Sequence, residues 1–335
     1  MIRIDEYQPG DEFEILDLFR DVFRVDRSIE QWRRIYLENP AGPPRIVIAR
    51  TPGNEIVGHM ATIPAAILSG NAIVRFGLVS DLMVQSRFRG VSSGPPLADA
   101  LARRLADLHL RTDDDTSWYA VPNRVALRSS RNLLGSLGVY RSTRFAHLVA
   151  EVHAYRARTE RPGNEFSERT RLSQVNCFDS SADETWARRR RDHPVMSVRD
   201  AEFLNWRFCN QPDRQYLLLE VSIDGKIRGH VIMAPYPLIP GNSAAIVECT
   251  VPLAHRRAYA GIVDHCLHEA QNRGFDNLAF LAPPACAEFD IFRAFGFKRV
   301  ESRRVLCMVD VESSAVGGSY PSTGWHYSLA DFDLC

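Results

Sequence analysis

Residues 81–105, DLMVQSRFRGVSSGPPLADALARRL, place together the residue types that binding a phosphate and moving a proton require. An apolar, strand-like segment gives way to the loop Arg89-Gly90-Val91-Ser92-Ser93-Gly94, then to two prolines and an amphipathic helical pattern. A strand–loop–helix of this kind points backbone N–H groups and the positive end of a helix dipole at an anion, and glycine lets the backbone come close. Arg89 adds a charged, planar donor fork. Pro95 and Pro96 have no N–H to offer, whereas Gly90, Ser92, Ser93 and Gly94 keep theirs. A proline-started helix after a ligand-free polar loop is the alternative reading.

Asp81 stands among Val79, Leu82 and Met83. A carboxylate in an apolar strand is a candidate general base. It could equally sit at a strand edge and pair with Arg75 or Arg87. Glu248, in IVECTV, holds a similar place later in the chain, and either serves a second site or pairs with Arg256 or Arg257. His59 and His230 each follow a glycine, which argues for a structural strand role. The run ARRRRD (187–192) has the charge to grip a phosphate or nucleic acid, but a solvated helix face paired with Asp183 and Glu184 is the favoured reading.

Composition limits the function classes. Of 335 residues 45% are apolar and 24% charged, and 41 basic residues balance 41 acidic ones. This is the profile of a soluble globular protein with no electrostatic push towards nucleic acid or membrane. The N-terminus lacks a signal-like layout and no apolar run is long enough to span a bilayer, so a cytoplasmic protein is expected. The seven cysteines are odd in number, lie in the second half and include no CxxC, which fits reduced, packed thiols; nothing suggests a metal.

The elements that must position these residues read as two copies of one pattern. QWRRIYLENP (31–40) finds an echo in NWRFCNQP (205–212), EIVGHM (55–60) in KIRGHV (226–231), and LGVYRSTR (137–144) in FGFKRVESR (295–303). The matches keep their order, as diverged repeats do. Each copy runs from a helix through strands to a helix, a strand, a helix and a last strand. The expected domains are 1–155 and 171–312, with a polar linker at 156–170 and a loosely held tail at 313–335.

RFRGVSSG, the strand ending in VPN, the following helix closed by LG and the last strand together resemble the GCN5-related N-acetyltransferase family. The resemblance covers 1–150 well and 165–310 weakly. It implies an α/β (α+β) class: two tandem domains, each a mixed, mostly antiparallel sheet flanked by helices. It also implies acetyl-CoA or another acyl-CoA as co-substrate, with its pyrophosphate on Arg89, Gly90, Ser92, Ser93 and Gly94. Met83, Val84 and Asn123 would meet the pantetheine arm and thioester. Asp81 would take a proton from the attacking amine. The tyrosine the family places before the helix-ending glycine is Leu134 here and Phe292 in the second copy, so Tyr119 or Tyr140 would have to protonate the leaving thiolate. In the second copy Ala258, Tyr259 and Ala260 crowd the position of the glycines, which implies a structural or substrate-binding role.

The reading is therefore an acyl-CoA-dependent N-acyltransferase acting on a small-molecule amine by direct attack in a ternary complex. Neither nucleic acid nor membrane is expected as a partner. Two rivals remain open: a non-catalytic tandem binding module, and transfer from an acyl carrier protein. An aminoacyl-tRNA transferase built of two such domains finds no support in the neutral net charge.

Overall fold

The computed structural model describes residues 2–90, 96–112, 115–122, 126–127, 135, 138–155, 169–212, 214–237, 239–311 and 325–332. The first half of the chain forms β1 (Arg3–Glu6), α1 (Glu12–Phe23), α2 (Ile29–Tyr36), β2 (Arg45–Arg50), β3 (Ile56–Ser69), β4 (Ala72–Val84), α3 (Leu97–Thr112), β5 (Asp115–Ala120) and β6 (Gly138–Glu151). After residue 169 come β7 (Thr170–Gln174), α4 (Ser181–Arg189), β8 (Val195–Ser197), α5 (Ala201–Phe208), β9 (Leu217–Ile223), β10 (Lys226–Pro235) and β11 (Ser243–Cys249). The chain ends with α6 (Tyr259–Asn272), β12 (Asn277–Leu281), α7 (Ala287–Ala294), β13 (Lys298–Val311) and β14 (Trp325–His326). Among the described residues, no helix is long and apolar enough to cross a membrane.

The chain divides into two compact units, and neither is one continuous stretch. One comprises residues 1–67, 73–143 and 304–320; the other comprises 68–72, 144–303 and 321–335. The first unit's sheet runs β1-β2-β3-β4-β5-β13, with β4 and β5 parallel. Its β5 is flanked on the far side by β13, antiparallel, with Cys307 opposite Ala120 and Val309 opposite Trp118. The second unit's sheet runs β7-β9-β10-β11-β12-β6, with β11 and β12 parallel. There β12 is flanked by β6, antiparallel, with Leu281 opposite His147. Each unit thus takes its outermost strand beside the parallel pair from the other half of the sequence.

Strand alternation builds the first unit's core. Val47 and Ala49 face the cluster under α3, with Leu101, Leu105 and Trp118. Ile46 and Ile48 face the cluster under α1 and α2, with Ile15, Leu18, Trp32 and Tyr36. Successive side chains point to opposite faces, so one apolar strand serves both layers. α2 starts where Ser28 Oγ accepts the Gln31 N–H at 3.1 Å, and its one-turn spacing places Trp32 and Tyr36 together on the buried side. α3 lies close over β3 at Gly58, where a Cβ would meet Leu101 Cδ1 at 3.1 Å.

In the second unit a different close approach is tighter still, between β10 and the segment that follows β11. A Cβ on Gly229 would lie 2.4 Å from Val251 Cγ2 and 2.8 Å from Val251 Cα. Because backbone is involved, rotamer changes alone do not relieve the clash. Gly229→Ala is expected to cost about 1–3 kcal/mol, read as a lower urea midpoint at unchanged slope.

The end of the tail is not loosely held. Trp325 through Phe332 are all buried. Trp325, Tyr327 and Phe332 form a ring cluster with Phe145. Arg207 Nη2 donates to the Phe332 carbonyl at 2.9 Å, and Asp331 Oδ2 pairs with Arg199 at 2.8 Å. Apolar burial and buried ion pairs together hold a segment whose neighbours in sequence, SYPSTG, are polar.

Candidate active site

β4 and β5 stay paired from Arg75↔Asp115 to Leu78↔Tyr119. β5 then ends at Ala120 while β4 continues to Val84. Past Leu78 the pairing of β4 with β5 ends, so the last residues of β4 run on beyond their parallel partner. Within that stretch Asp81 adopts φ +47°, the left-handed region that costs an L-residue roughly 1–2 kcal/mol. Met83 and Val84 follow on opposite faces, Met83 in the α1/α2 cluster and Val84 in the α3 cluster.

Three partners fix Asp81. The Tyr36 hydroxyl donates to its Oδ2 at 2.6 Å, and Arg27 Nη1 pairs with the same oxygen. The Asp81 carbonyl accepts from His59 Nδ1 at 2.7 Å. Arg27 is itself held over the Phe19 ring, 4.0 Å from its centroid. Neither sequence pairing proposed for Asp81 is what holds it here: Arg87 Nη2 reaches Glu55 instead, and the cation on Asp81 is Arg27. His59 is fully buried, and burial lowers its pKa, so the ring is neutral. With Nδ1 as the donor, Nε2 is left as a buried lone pair without a partner. Burial, with Asp81 adding to it, pushes the Tyr36 phenol well above its ordinary range.

The other candidates are distributed as follows. Arg89 follows a 3-10 turn at Ser86–Phe88 and donates through Nε to the Val84 carbonyl at 2.7 Å. Gly90 has φ +77°, and a Cβ there would meet no atom within 4 Å, so there is room beside its backbone. Tyr119 is buried on β5. The Tyr140 hydroxyl donates to Cys307 Sγ at 3.0 Å. Ser92, Ser93, Gly94 and Asn123 lie outside the described residues, as does Leu134. Sequence reasoning missed Arg27 and Tyr36. Tyr36 carried a faint signal as the polar end of the QWRRIY face that buries Trp32.

No protein-family model matches the chain, and no curated protein does. Solved structures do. A probable N-acyltransferase of Enterococcus faecalis V583 superposes with a TM-score of 0.67 at 12% identity, over 93% of this chain and 73% of that one. A GCN5-related N-acetyltransferase from Anabaena variabilis ATCC 29413 gives 0.66 at 10% identity, with the same coverage. A GCN5-related glucosamine N-acetyltransferase region of a fungal multi-domain β-N-acetylglucosaminidase gives 0.58 at 16% identity, over 92% of this chain and 38% of that one. The fold is that of the GCN5-related N-acetyltransferases.

The second unit also has a parallel strand pair beside an irregular antiparallel one. β11 and β12 pair only from Ser243↔Asn277 to Ile246↔Phe280. The β10–β11 register jumps from Ile232↔Glu248 to Met233↔Ile246, leaving Val247 as an extra residue. Glu248, Asp81's counterpart, is saturated by Arg199 Nε at 2.5 Å, Ser328 Oγ at 2.7 Å and the Cys249 N–H at 2.9 Å. Tyr259, at the start of α6, is buried and donates to the Val251 carbonyl at 2.8 Å. All of these partners come from the unit's own chain.

Buried neutral histidines set an acid limit on stability. Burial holds His147 and His230 down to about 4, and lowers His59 as well. Below about pH 6.5 the unfolded chain binds protons on these rings while the folded chain does not. Stability therefore falls as pH drops from about 6.5 towards 4, by up to roughly 3 kcal/mol each for His147 and His230. Thermal melts across that window are expected to show a falling Tm. Removing the Tyr236 hydroxyl, 2.6 Å from His147 Nε2, should change the slope only slightly, because desolvation is the cause.

Proposed function

We propose that the first unit is an acyl-CoA-dependent N-acyltransferase and that the second is a diverged copy with its cleft filled from within. The observation that carries this reading is the left-handed turn at Asp81, placed where β4 outruns β5. That combination sets a strand edge free of β5 beside a half-buried carboxylate. The backbone near Met83 and Val84 would bond the pantetheine arm and polarise the thioester carbonyl. Arg89 and the room beside Gly90 suit a pyrophosphate. Acetyl-CoA is the preferred donor, and a small-molecule amine the acceptor.

The amine nitrogen attacks the thioester carbon directly. A C–N bond forms as the C–S bond breaks, and the nitrogen's proton goes to Asp81. Arg27 and Tyr36 hold that carboxylate in one orientation. The departing thiolate takes a proton from Tyr119, Tyr140 or solvent. Tyr140 is placed for this only if its hydroxyl leaves Cys307 Sγ.

The test is thiol release when the full-length chain is incubated with acetyl-CoA and a panel of primary amines. Release dependent on one class of amine supports the reading. Release equal to spontaneous hydrolysis for every amine and every acyl chain length tried contradicts it, and directs the search to acyl carrier proteins.

A further inference from the structure

The second unit contains a cluster for which acyl transfer has no use. His193 follows α4, Glu288 lies in the first turn of α7, and His326 lies in β14. Their donor atoms all fall within 4.8 Å of one another. His193 Nε2 is 2.9 Å from Glu288 Oε1, and His326 Nε2 is 3.5 Å from the same oxygen. The two rings lie 4.2 Å apart between centroids, inclined at 33°. Glu288 is 1% exposed, and its other oxygen, Oε2, is buried without a hydrogen-bond partner. One carboxylate oxygen is crowded while its twin has nothing.

Arg189, also buried, reaches the crowded oxygen with Nη2, which lies 3.2 Å from His326 Nε2. Its Nη1 pairs separately with Asp192 at 2.9 Å. A guanidinium only donates, so His326 Nε2 presents a lone pair to it. That lone pair and the carboxylate are two acceptors brought together around a cation. In a tetrahedral zinc site with bonds of about 2.0–2.2 Å, neighbouring ligand atoms lie about 3.3 Å apart. The separations of 2.9 and 3.5 Å bracket that value. Two imidazoles and a carboxylate form a donor set suited to zinc.

We propose that His193, His326 and Glu288 bind a divalent transition-metal ion of the zinc type, Glu288 through both oxygens, while Arg189 turns fully onto Asp192. The ion would join β14 to the ends of α4 and α7, fastening the buried tail. The site is independent of the transferase reading.

The test uses the full-length chain, stripped with chelator and titrated with cobalt(II) as a spectroscopic substitute for zinc. The expected result is one equivalent bound, visible d–d bands of a four-coordinate centre, and a raised Tm. His193→Ala and His326→Ala should each weaken binding by more than the roughly 10–100-fold that loss of an outer partner costs. Should either variant fail to fold, histidine proton resonances of the wild-type chain replace it: zinc must shift two imidazoles at one equivalent. No binding by the stripped chain, or binding unchanged in the folded variants, overturns the proposal and leaves Arg189 as the site's only cation.

Discussion

A chain ended before residue 321 is expected to lose its second unit. The deletion removes eight consecutive buried residues, Trp325 to Phe332. Truncating one large buried aromatic side chain costs about 3–5 kcal/mol, and Trp325, Tyr327 and Phe332 all go at once. The loss also strips Asp331 and Ser328 from Arg199 and Glu248, which are both fully buried. Breaking a buried ion pair costs about 3–5 kcal/mol more. Together these are as large as the roughly 5–15 kcal/mol that a domain has in reserve. The truncated chain should be recovered insoluble or should be cleaved rapidly by protease between residues 169 and 303. A soluble, protease-resistant product with the helix content of the full chain would show that the tail contributes little.

Asp81→Asn is the second large effect. The substitution keeps the shape of the side chain and removes its charge. If Asp81 takes the amine's proton, the rate falls about 10²–10⁴-fold, the usual worth of general-base catalysis. The same change removes the carboxylate charge that faces Arg27, whose side chain is 8% exposed, so stability must be measured alongside. Tyr36→Phe separates the two roles. It removes one hydrogen bond to Asp81, worth about 1 kcal/mol, and no charge. A base oriented by Tyr36 predicts a modest loss of kcat with the pH profile retained. Unchanged kinetics in Asp81→Asn, with KM for acetyl-CoA also unchanged, would remove Asp81 from the chemistry.

Local features were legible in the sequence and long-range pairings were not. The strand before Arg89, the helix after Pro96 and the odd carboxylate at position 81 all announce themselves through spacing and residue type. The partners of Asp81 do not, because Arg27 and Tyr36 lie 54 and 45 residues away. The exchange of β6 and β13 was hidden for a similar reason. Alternating apolar residues fix that each is a strand, but either sheet edge would accept such a strand. In ARRRRD, charge alone argues for a solvated face. Arg188 does pair with Glu184 at 3.2 Å, yet Arg189 turns inward to Glu288 and Asp192, since helical geometry points consecutive arginines in different directions. The tail's aromatic residues were a readable signal of burial, overshadowed by the polar stretch before them.

If the first unit holds an acyl-CoA, calorimetric titration of the full-length chain with acetyl-CoA should show one site per chain, weakened roughly 10–100-fold by Arg89→Ala, as loss of a charge-assisted hydrogen bond implies. Heats indistinguishable from dilution with the wild-type chain would contradict it.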